Sequence, residues 1–192
     1  MKKVILLDMD GTLTPPRKRI EPEMVVQLNS MISDGWELGI VSGSHVDYMD
    51  EQLGPWDAWK NNHPQVTKYP VNGTSDLDMS KEYTEFDWQW LLHDIRAADH
   101  RMRCSLGGKY IREPESILEF RGSSINWCPI GRDANEKQRK RFIGLDMAFD
   151  LRINFMSEIK TRPIFHKKTV IKLGGQTSFD IYPQGWDKSY VL

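Results

Sequence analysis

Lys3-Val4-Ile5-Leu6-Leu7-Asp8-Met9-Asp10-Gly11 is the stretch from which the fold is read. Its apolar run from Lys3 to Leu7 stops on two aspartates and a glycine, which predicts a buried strand whose end delivers carboxylates to a surface. Outward from it, Pro22 suits a first helical turn, Val25, Leu28 and Ile32 recur at helical spacing, and Gly35 can close that helix. Trp36 to Val41 reads as a second strand and Ser42-Gly43-Ser44 as a tight loop. Val46, Met49 and Leu53 then mark a second helix, ended by Gly54-Pro55. Strand, helix, strand, helix predicts a parallel α/β sheet.

From about Asp57 the pattern changes. Trp56, Trp59, Trp88 and Trp90 scatter among polar residues and turn signals such as Asn72-Gly73, and no element is assigned there. Further on, Ser116 to Phe120 and Ile125 to Trp127 read as a hairpin around Gly122-Ser123-Ser124. Asn135 caps a helix running toward Phe149, and another helix covers Arg152 to Lys160 before Pro163. Thr169 to Leu173 and Ser178 to Tyr182 form a second hairpin across Gly174-Gly175. Strand pairs mixed with helices predict an α+β cap inserted into the α/β core: core over 1–81, cap over 82–183, and a return to the core over 184–192.

The 192 residues are 39% hydrophobic, enough to bury a sizeable core. With 26 basic against 27 acidic residues, no global field draws nucleic acid or an anionic membrane, so any anion site must be built locally. Asp8 and Asp10 interrupt the first apolar run too early for a signal peptide, and no stretch approaches the ~20 apolar residues of a membrane helix. A cytoplasmic protein is expected. Cys104 and Cys128 suit neither a disulfide framework nor a zinc spacing and are expected to be reduced thiols with packing roles.

Asp8 and Asp10 stand two residues apart at a strand end, which sends both side chains out on one face. Two carboxylates in one site repel unless a cation neutralises them, and a hard cation such as Mg²⁺ is the natural choice beside a phosphate. An aspartate can also take up a phosphoryl group as an acyl phosphate, splitting a difficult transfer into two. Gly11 lets the backbone turn, and the hydroxyls of Thr12 and Thr14 are expected near the phosphate. The plainer alternative, an ordinary strand-to-turn junction, fits the pentapeptide Asp8 to Thr12 as well.

The wider stretch Asp8-Met9-Asp10-Gly11-Thr12-Leu13-Thr14-Pro15-Pro16-Arg17 resembles the first motif of the haloacid-dehalogenase superfamily in its phosphomannomutase form. The resemblance implies that Asp8 is the nucleophile, that Asp10 shuttles the proton of the sugar hydroxyl, that both lie at the metal, and that Arg17 contacts substrate. Ile40-Val41-Ser42-Gly43-Ser44 sits where the second motif belongs, so Ser42 or Ser44 would hydrogen-bond the phosphoryl group, although such a turn is also commonly structural.

Glu119-Phe120-Arg121-Gly122, followed by Asn126-Trp127-Cys128-Pro129-Ile130-Gly131-Arg132, looks like the cap signature of that family. By resemblance, Arg121, Arg132 and Arg139 would grip the phosphate that is not reacting, in the bidentate manner guanidinium allows. Arg139 lies in Lys137-Gln138-Arg139-Lys140-Arg141, which by itself reads as a solvated helix face. The run from Gly174 to Lys188 is similar to the family almost throughout. It implies that Ser178 and Asp180 bind the sugar or its phosphate, and that Lys188 pairs with the cluster around Asp8.

What the resemblance implies is an α/β core of haloacid-dehalogenase type with an α+β cap. The implied reaction interconverts a hexose 6-phosphate and 1-phosphate, mannose favoured, through an aspartyl phosphate, and feeds GDP-mannose synthesis. Mg²⁺, a hexose 1,6-bisphosphate activator and a homodimer through the cap come with it. The rivals are a phosphatase of the same superfamily, in which water takes the phosphoryl group, and a noncatalytic sugar-phosphate-binding chain. The resemblance covers residues 3–54 and 116–192 and lapses between them. Leu106-Gly107-Gly108, Gly122-Ser123-Ser124-Ile125 and Gln184 depart from the family pattern. No acidic fourth motif is found after Lys188. The expectation is therefore that the chain is either a truncated product or one half of a split enzyme whose complementing C-terminal polypeptide carries the remaining acidic ligands, with the first strand left at an exposed sheet edge. The alternative is a self-sufficient enzyme in which Asp187 or another local carboxylate replaces the ligand and a dimer partner covers that edge.

Overall fold

A computed structural model describes residues 3–105 and 117–191; the segment 106–116, with Leu106-Gly107-Gly108 and Ser116, lies outside the described residues. The chain divides into two compact units, 1–76 together with 185–192, and 77–184. The first crossing falls earlier than the expected 81/82. Met79, 1% exposed, already belongs to the second unit, where its N–H donates to the carbonyl of Gly122.

The first unit runs β1 (Lys3–Asp8), α1 (Pro22–Ser33), β2 (Trp36–Val41), α2 (Val46–Leu53), α3 (Asp57–Lys60) and β3 (Val66–Tyr69). Its sheet is parallel, in the order β1-β2-β3, with Asp8 opposite Val41 and Val41 opposite Tyr69, so the three carboxyl ends lie side by side. As expected, β1 is an edge strand among the described residues, and Val4 is 57% exposed. Gly39, in the middle strand, permits the close packing: a Cβ there would lie 2.3 Å from Leu6 Cδ2 and 3.0 Å from Tyr69.

Met9, Leu28, Leu38, Ile40, Met49 and Leu53 build the core with Trp56 and Trp59. The two tryptophans bury their rings, and each indole N–H donates at 2.8 Å, Trp56 to Asn29 Oδ1 and Trp59 to Asp50 Oδ1. These tryptophans, which as sequence carry no periodic signal, are therefore core residues of a short connecting segment.

The second unit contains α4 (Glu85–Ser105), β4 (Leu118–Phe120), β5 (Ile125–Trp127), α5 (Glu136–Phe149), α6 (Leu151–Ile159), α7 (Pro163–Lys167), β6 (Thr169–Gly174) and β7 (Ser178–Pro183). Both expected hairpins form, and β5 pairs with β7 to give an antiparallel sheet in the order β4-β5-β7-β6. Alternation along the strands sorts the residues by face. Ile125, Trp127, Phe179 and Ile181 are fully buried, with the Trp127 and Phe179 rings stacked at 4.3 Å. In the opposite phase, Glu119, Asn126, Asp180 and Lys172 stand in one cross-strand row.

Asn135 caps α5 through a full capping box with Gln138. The long helix α4 lies in the unassigned stretch. Leu91, Ile95, Ala98 and Met102 recur on its buried side, each at most 1% exposed, and Thr84 Oγ1 accepts from the N–H of Asp87 at its start. Cys128 is buried as expected, but Cys104 is exposed on α4, with its sulfur 3.8 Å from His100 Nδ1. Among the described residues, no helix is long and apolar enough to cross a membrane.

Candidate active site

At the end of β1 the chain leaves the sheet through a tight loop. Met9 and Leu13 plug into the core, at 0% and 4% exposure, and the N–H groups of Thr12, Leu13 and Thr14 all donate to the carbonyl of Met9. Gly11, at φ 83, makes the reversal possible, and its N–H donates to the Thr14 carbonyl at 2.7 Å. With Met9 turned inward, Asp8 is half-buried and Asp10 is exposed, both in the carboxyl-end loop region. Asp8 Oδ1 accepts from the N–H of Met9 at 2.8 Å and lies 2.5 Å from Lys188 Nζ. Asp10 Oδ1 accepts from the N–H of Arg17 at 3.2 Å, with Arg17 itself left-handed at φ 60.

Ser42 follows the end of β2 directly and is 2% exposed. Its hydroxyl oxygen accepts from the N–H of Ser44 at 3.0 Å, so it braces the loop that presents Ser44. The first unit thus brings Asp8, Asp10, Arg17, Ser42, Ser44 and Lys188 to the loops at the carboxyl ends of β1 and β2 and to the turn at 188–191. Thr14 departs from expectation. It is 2% exposed, and its hydroxyl is held by Gln52 and the Met9 carbonyl rather than turned toward a ligand.

The loop after β3 is strained. Val71, Asn72 and Gly73 take φ values of 49, 58 and 79 in succession, and a β-branched residue in that region is a true outlier. The run is held by Val71 donating to the Ser44 carbonyl and Asn72 to the Ser42 carbonyl, and Val191 packs so closely on Gly73 that a Cβ would stand 2.0 Å from its Cγ1. The turn signal Asn72-Gly73 is present in the sequence, but its link to the serine loop is a tertiary fact.

In the second unit the polar row of the sheet gathers the other expected residues. Glu119 is the hub, and sequence reading assigns it no role. Its Oε2 accepts from Arg121 Nε at 2.9 Å and Nη2 at 2.5 Å, and lies 3.3 Å from Arg132 Nη2. Asn126, 3% exposed, accepts from Arg132 Nη1 at 3.0 Å and donates to Asp180 Oδ1 at 2.7 Å and Ser178 Oγ at 3.2 Å. Arg139 is no solvated lysine-run residue. Its guanidinium donates to the carbonyls of Ala134 and Arg132 and to Thr177 Oγ1. Arg121, Arg132, Arg139, Ser178 and Asp180 therefore share one hydrogen-bonded network, held in fixed geometry before any ligand arrives.

Chemically, the first unit offers two carboxylates, an ammonium and hydroxyls, while the second offers guanidiniums balanced by Glu119 and Asp180. The oxygen donors of Asp8 and Asp10 fit a hard cation such as Mg²⁺, which takes one or two protein carboxylates and completes its shell with water and phosphate oxygens. Among the described residues no cluster of three or more His, Cys, Asp or Glu is poised around a metal position.

The family model described as eukaryotic phosphomannomutase matches residues 25–192. Phosphomannomutase from Oryza sativa subsp. indica is 32% identical over 97% of this chain and 74% of its own length. Phosphomannomutase 1 from Mus musculus is 33% identical over 97% and 71%. These alignments also run through the middle stretch, where motif resemblance lapses.

Among solved structures, the C-terminal domain of C. albicans trehalose-6-phosphate phosphatase superposes with a TM-score of 0.57 at 16% identity, over 99% of this chain and 60% of that one. An N-terminally truncated, IMP-bound Plasmodium falciparum IMP-nucleotidase gives 0.60 at 12% identity, over 95% and 52%. The chain thus spans less than two thirds of those structures, and they establish the fold, an α/β fold of haloacid-dehalogenase type. The chain belongs to the eukaryotic phosphomannomutase family.

Proposed function

We propose that this chain is a phosphotransferase interconverting hexose 6-phosphate and hexose 1-phosphate, mannose favoured, by way of an aspartyl phosphate on Asp8, and so serving GDP-mannose synthesis. The observation that carries the reading is the Asp8–Lys188 pair at 2.5 Å, beside Asp10 on the same loop, in a member of this family. Among the described residues, the Met9 N–H and Lys188 both meet Asp8 at Oδ1, and Oδ2 is the attacking oxygen in this reading.

As Oδ2 bonds to phosphorus, the phosphorus–oxygen bond to the sugar breaks, and the departing sugar oxygen takes a proton from Asp10. In the reverse direction Asp10 removes the proton of the attacking hydroxyl. Lys188 balances the charge gathering at Asp8, and Ser44 with the braced Ser42 loop supplies hydrogen bonds to the phosphoryl oxygens. Mg²⁺, which would be held by Asp8 and by an oxygen of Asp10 other than the one that exchanges the proton, would neutralise phosphoryl charge when bound. Arg121, Arg132 and Arg139 bind the phosphate that is not reacting, Ser178 and Asp180 bind the sugar or its phosphate, and Arg17 contacts substrate.

A hexose 1,6-bisphosphate activator, a homodimer through the cap and a cytoplasmic location belong to the same proposal and rest on the family. A complementing polypeptide belongs to the same proposal, and Mg²⁺-dependent turnover by this chain alone removes the need for it. The deciding assay follows mannose 1-phosphate with and without added bisphosphate. Formation of mannose 6-phosphate, stimulated by bisphosphate, is expected. Inorganic phosphate as the sole product supports the phosphatase instead, and no phosphorylated protein at all supports a binding role.

A further inference from the structure

Gln52 is a buried polar residue on a helix face that is otherwise apolar. It lies in α2 with Met49 and Leu53, both fully buried, and is itself 6% exposed. A carboxamide in such a place is costly unless fully hydrogen-bonded, so its surroundings identify its role.

The groups around its terminal nitrogen position are Asp10 Oδ1 at 3.2 Å, Thr14 Oγ1 at 3.0 Å and the Lys18 carbonyl at 3.1 Å. A carboxylate and a carbonyl can only accept, so the amide presents its N–H₂ to them. The main-chain carbonyl of Gln52 in turn accepts from the N–H of Ile20 at 2.8 Å. One residue of α2 thereby grips the loop from Asp10 to Ile20 at both ends.

The consequence for Asp10 is asymmetric. Oδ1 receives two donors, Gln52 Nε2 and the N–H of Arg17, whereas Oδ2 takes part in neither contact. We propose that Gln52 is the positioning residue of Asp10: it fixes Oδ1 in the loop so that Oδ2 is the oxygen exchanging the proton with the sugar. In that step the hydroxyl's O–H bond breaks, the proton bonds to Oδ2, and the freed oxygen pair bonds to phosphorus as the phosphorus–Asp8 bond breaks. The inference rests on the reading of Asp8 as nucleophile and Asp10 as acid and base.

The test separates leaving groups, using the full chain with Mg²⁺. Transfer to Asp8 from hexose 1,6-bisphosphate expels a sugar alkoxide and needs a proton, while transfer from acetyl phosphate expels acetate and needs none. Gln52→Met keeps the volume without hydrogen bonds, and Gln52→Glu keeps the shape without the donors. Both are expected to slow phosphorylation by the bisphosphate by about 10- to 100-fold and to leave phosphorylation by acetyl phosphate within about 2-fold. Added to Asp10→Asn, either change should cost nothing further, because the group it serves is gone.

Equal losses with both donors, or full additivity with Asp10→Asn, would mean that Gln52 only supports the fold, and the inference fails. If Asp10→Asn itself does not distinguish the two donors, or the unaltered chain is phosphorylated by neither, the underlying reading fails instead.

Discussion

At Asp8, Lys188 and the N–H of Met9 occupy the same carboxylate oxygen, so the two oxygens are chemically unequal. Asp8→Asn replaces the proposed nucleophile by an amide and is expected to abolish both acid-labile phosphoprotein and isomerisation. Asp10→Asn should retain phosphorylation by acetyl phosphate while slowing isomerisation by roughly 10²- to 10⁴-fold, the usual worth of a positioned acid and base. Retention of most activity in Asp8→Asn would end the aspartyl phosphate mechanism. Lys188→Met tests a different quantity. The pair is 47% and 44% exposed on its two sides, so its loss should change stability by less than about 1 kcal/mol. Turnover should nevertheless fall by about 10²-fold if, as proposed, the ammonium balances charge developing in the transition state. Denaturant titration beside the kinetics checks both halves of that expectation.

At the scale of the element, Gly174 ends β6 opposite Ser178, and a Cβ there would meet Asp180 Oδ2 at 2.6 Å and Cγ at 2.7 Å. Gly174→Ala should therefore displace the Asp180 carboxylate and raise KM for the sugar phosphate several-fold, with the circular dichroism spectrum unchanged; an unaltered KM would separate Asp180 from the ligand. Tyr83, directly after a 3₁₀ turn over Met79–Glu82, offers a pH test. Burial raises its phenol above the ordinary value of 10.0, against the opposing effect of the hydrogen bond with Thr169 at 2.8 Å. The folded state keeps the proton that the unfolded chain gives up above pH 10.0. The contribution is thus full below that pH and is lost as pH rises through the folded value. Tyr83→Phe should lose about 1 kcal/mol at neutral pH and show a flatter decline of stability at high pH.

The elements legible in the sequence are those with local punctuation: Pro22 and Gly35 around α1, Asn135 before α5, and Gly174-Gly175 between β6 and β7. By contrast, α4 was hidden because its apolar spacing 91, 95, 98, 102 is overlaid by Phe86, Trp88 and Trp90, and β3 because four residues between prolines carry too little pattern. Arg121, Arg132 and Arg139 are recognisable through motif spacing. The links made by Glu119, Asn126 and Gln52 depend on which strand or loop lies alongside, which spacing does not encode.

At the scale of the whole molecule, the chain passes between its two units twice, at 76/77 and at 184/185. Residues 77–184 are continuous and have their own core, including the Trp127–Phe179 stack, so this segment is expected to fold by itself with a cooperative thermal transition and a near-ultraviolet aromatic signal. Residues 1–76 alone lack the 188–191 turn that packs on 70–73 and should be markedly less protected from protease than the full chain. The same insertion sets an order of events during synthesis. Asp8 leaves the ribosome at the start, whereas Lys188 follows only after the entire segment 77–184 has been made. At ~5–20 residues per second that interval is on the order of 10 s, time enough for the continuous unit to fold first. Until then the nascent chain carries Asp8 without Lys188. On the proposed mechanism, nascent chains halted before Lys188 should therefore form the aspartyl phosphate more slowly than the finished chain, so that translation through Lys188 would set when Asp8 becomes fully reactive.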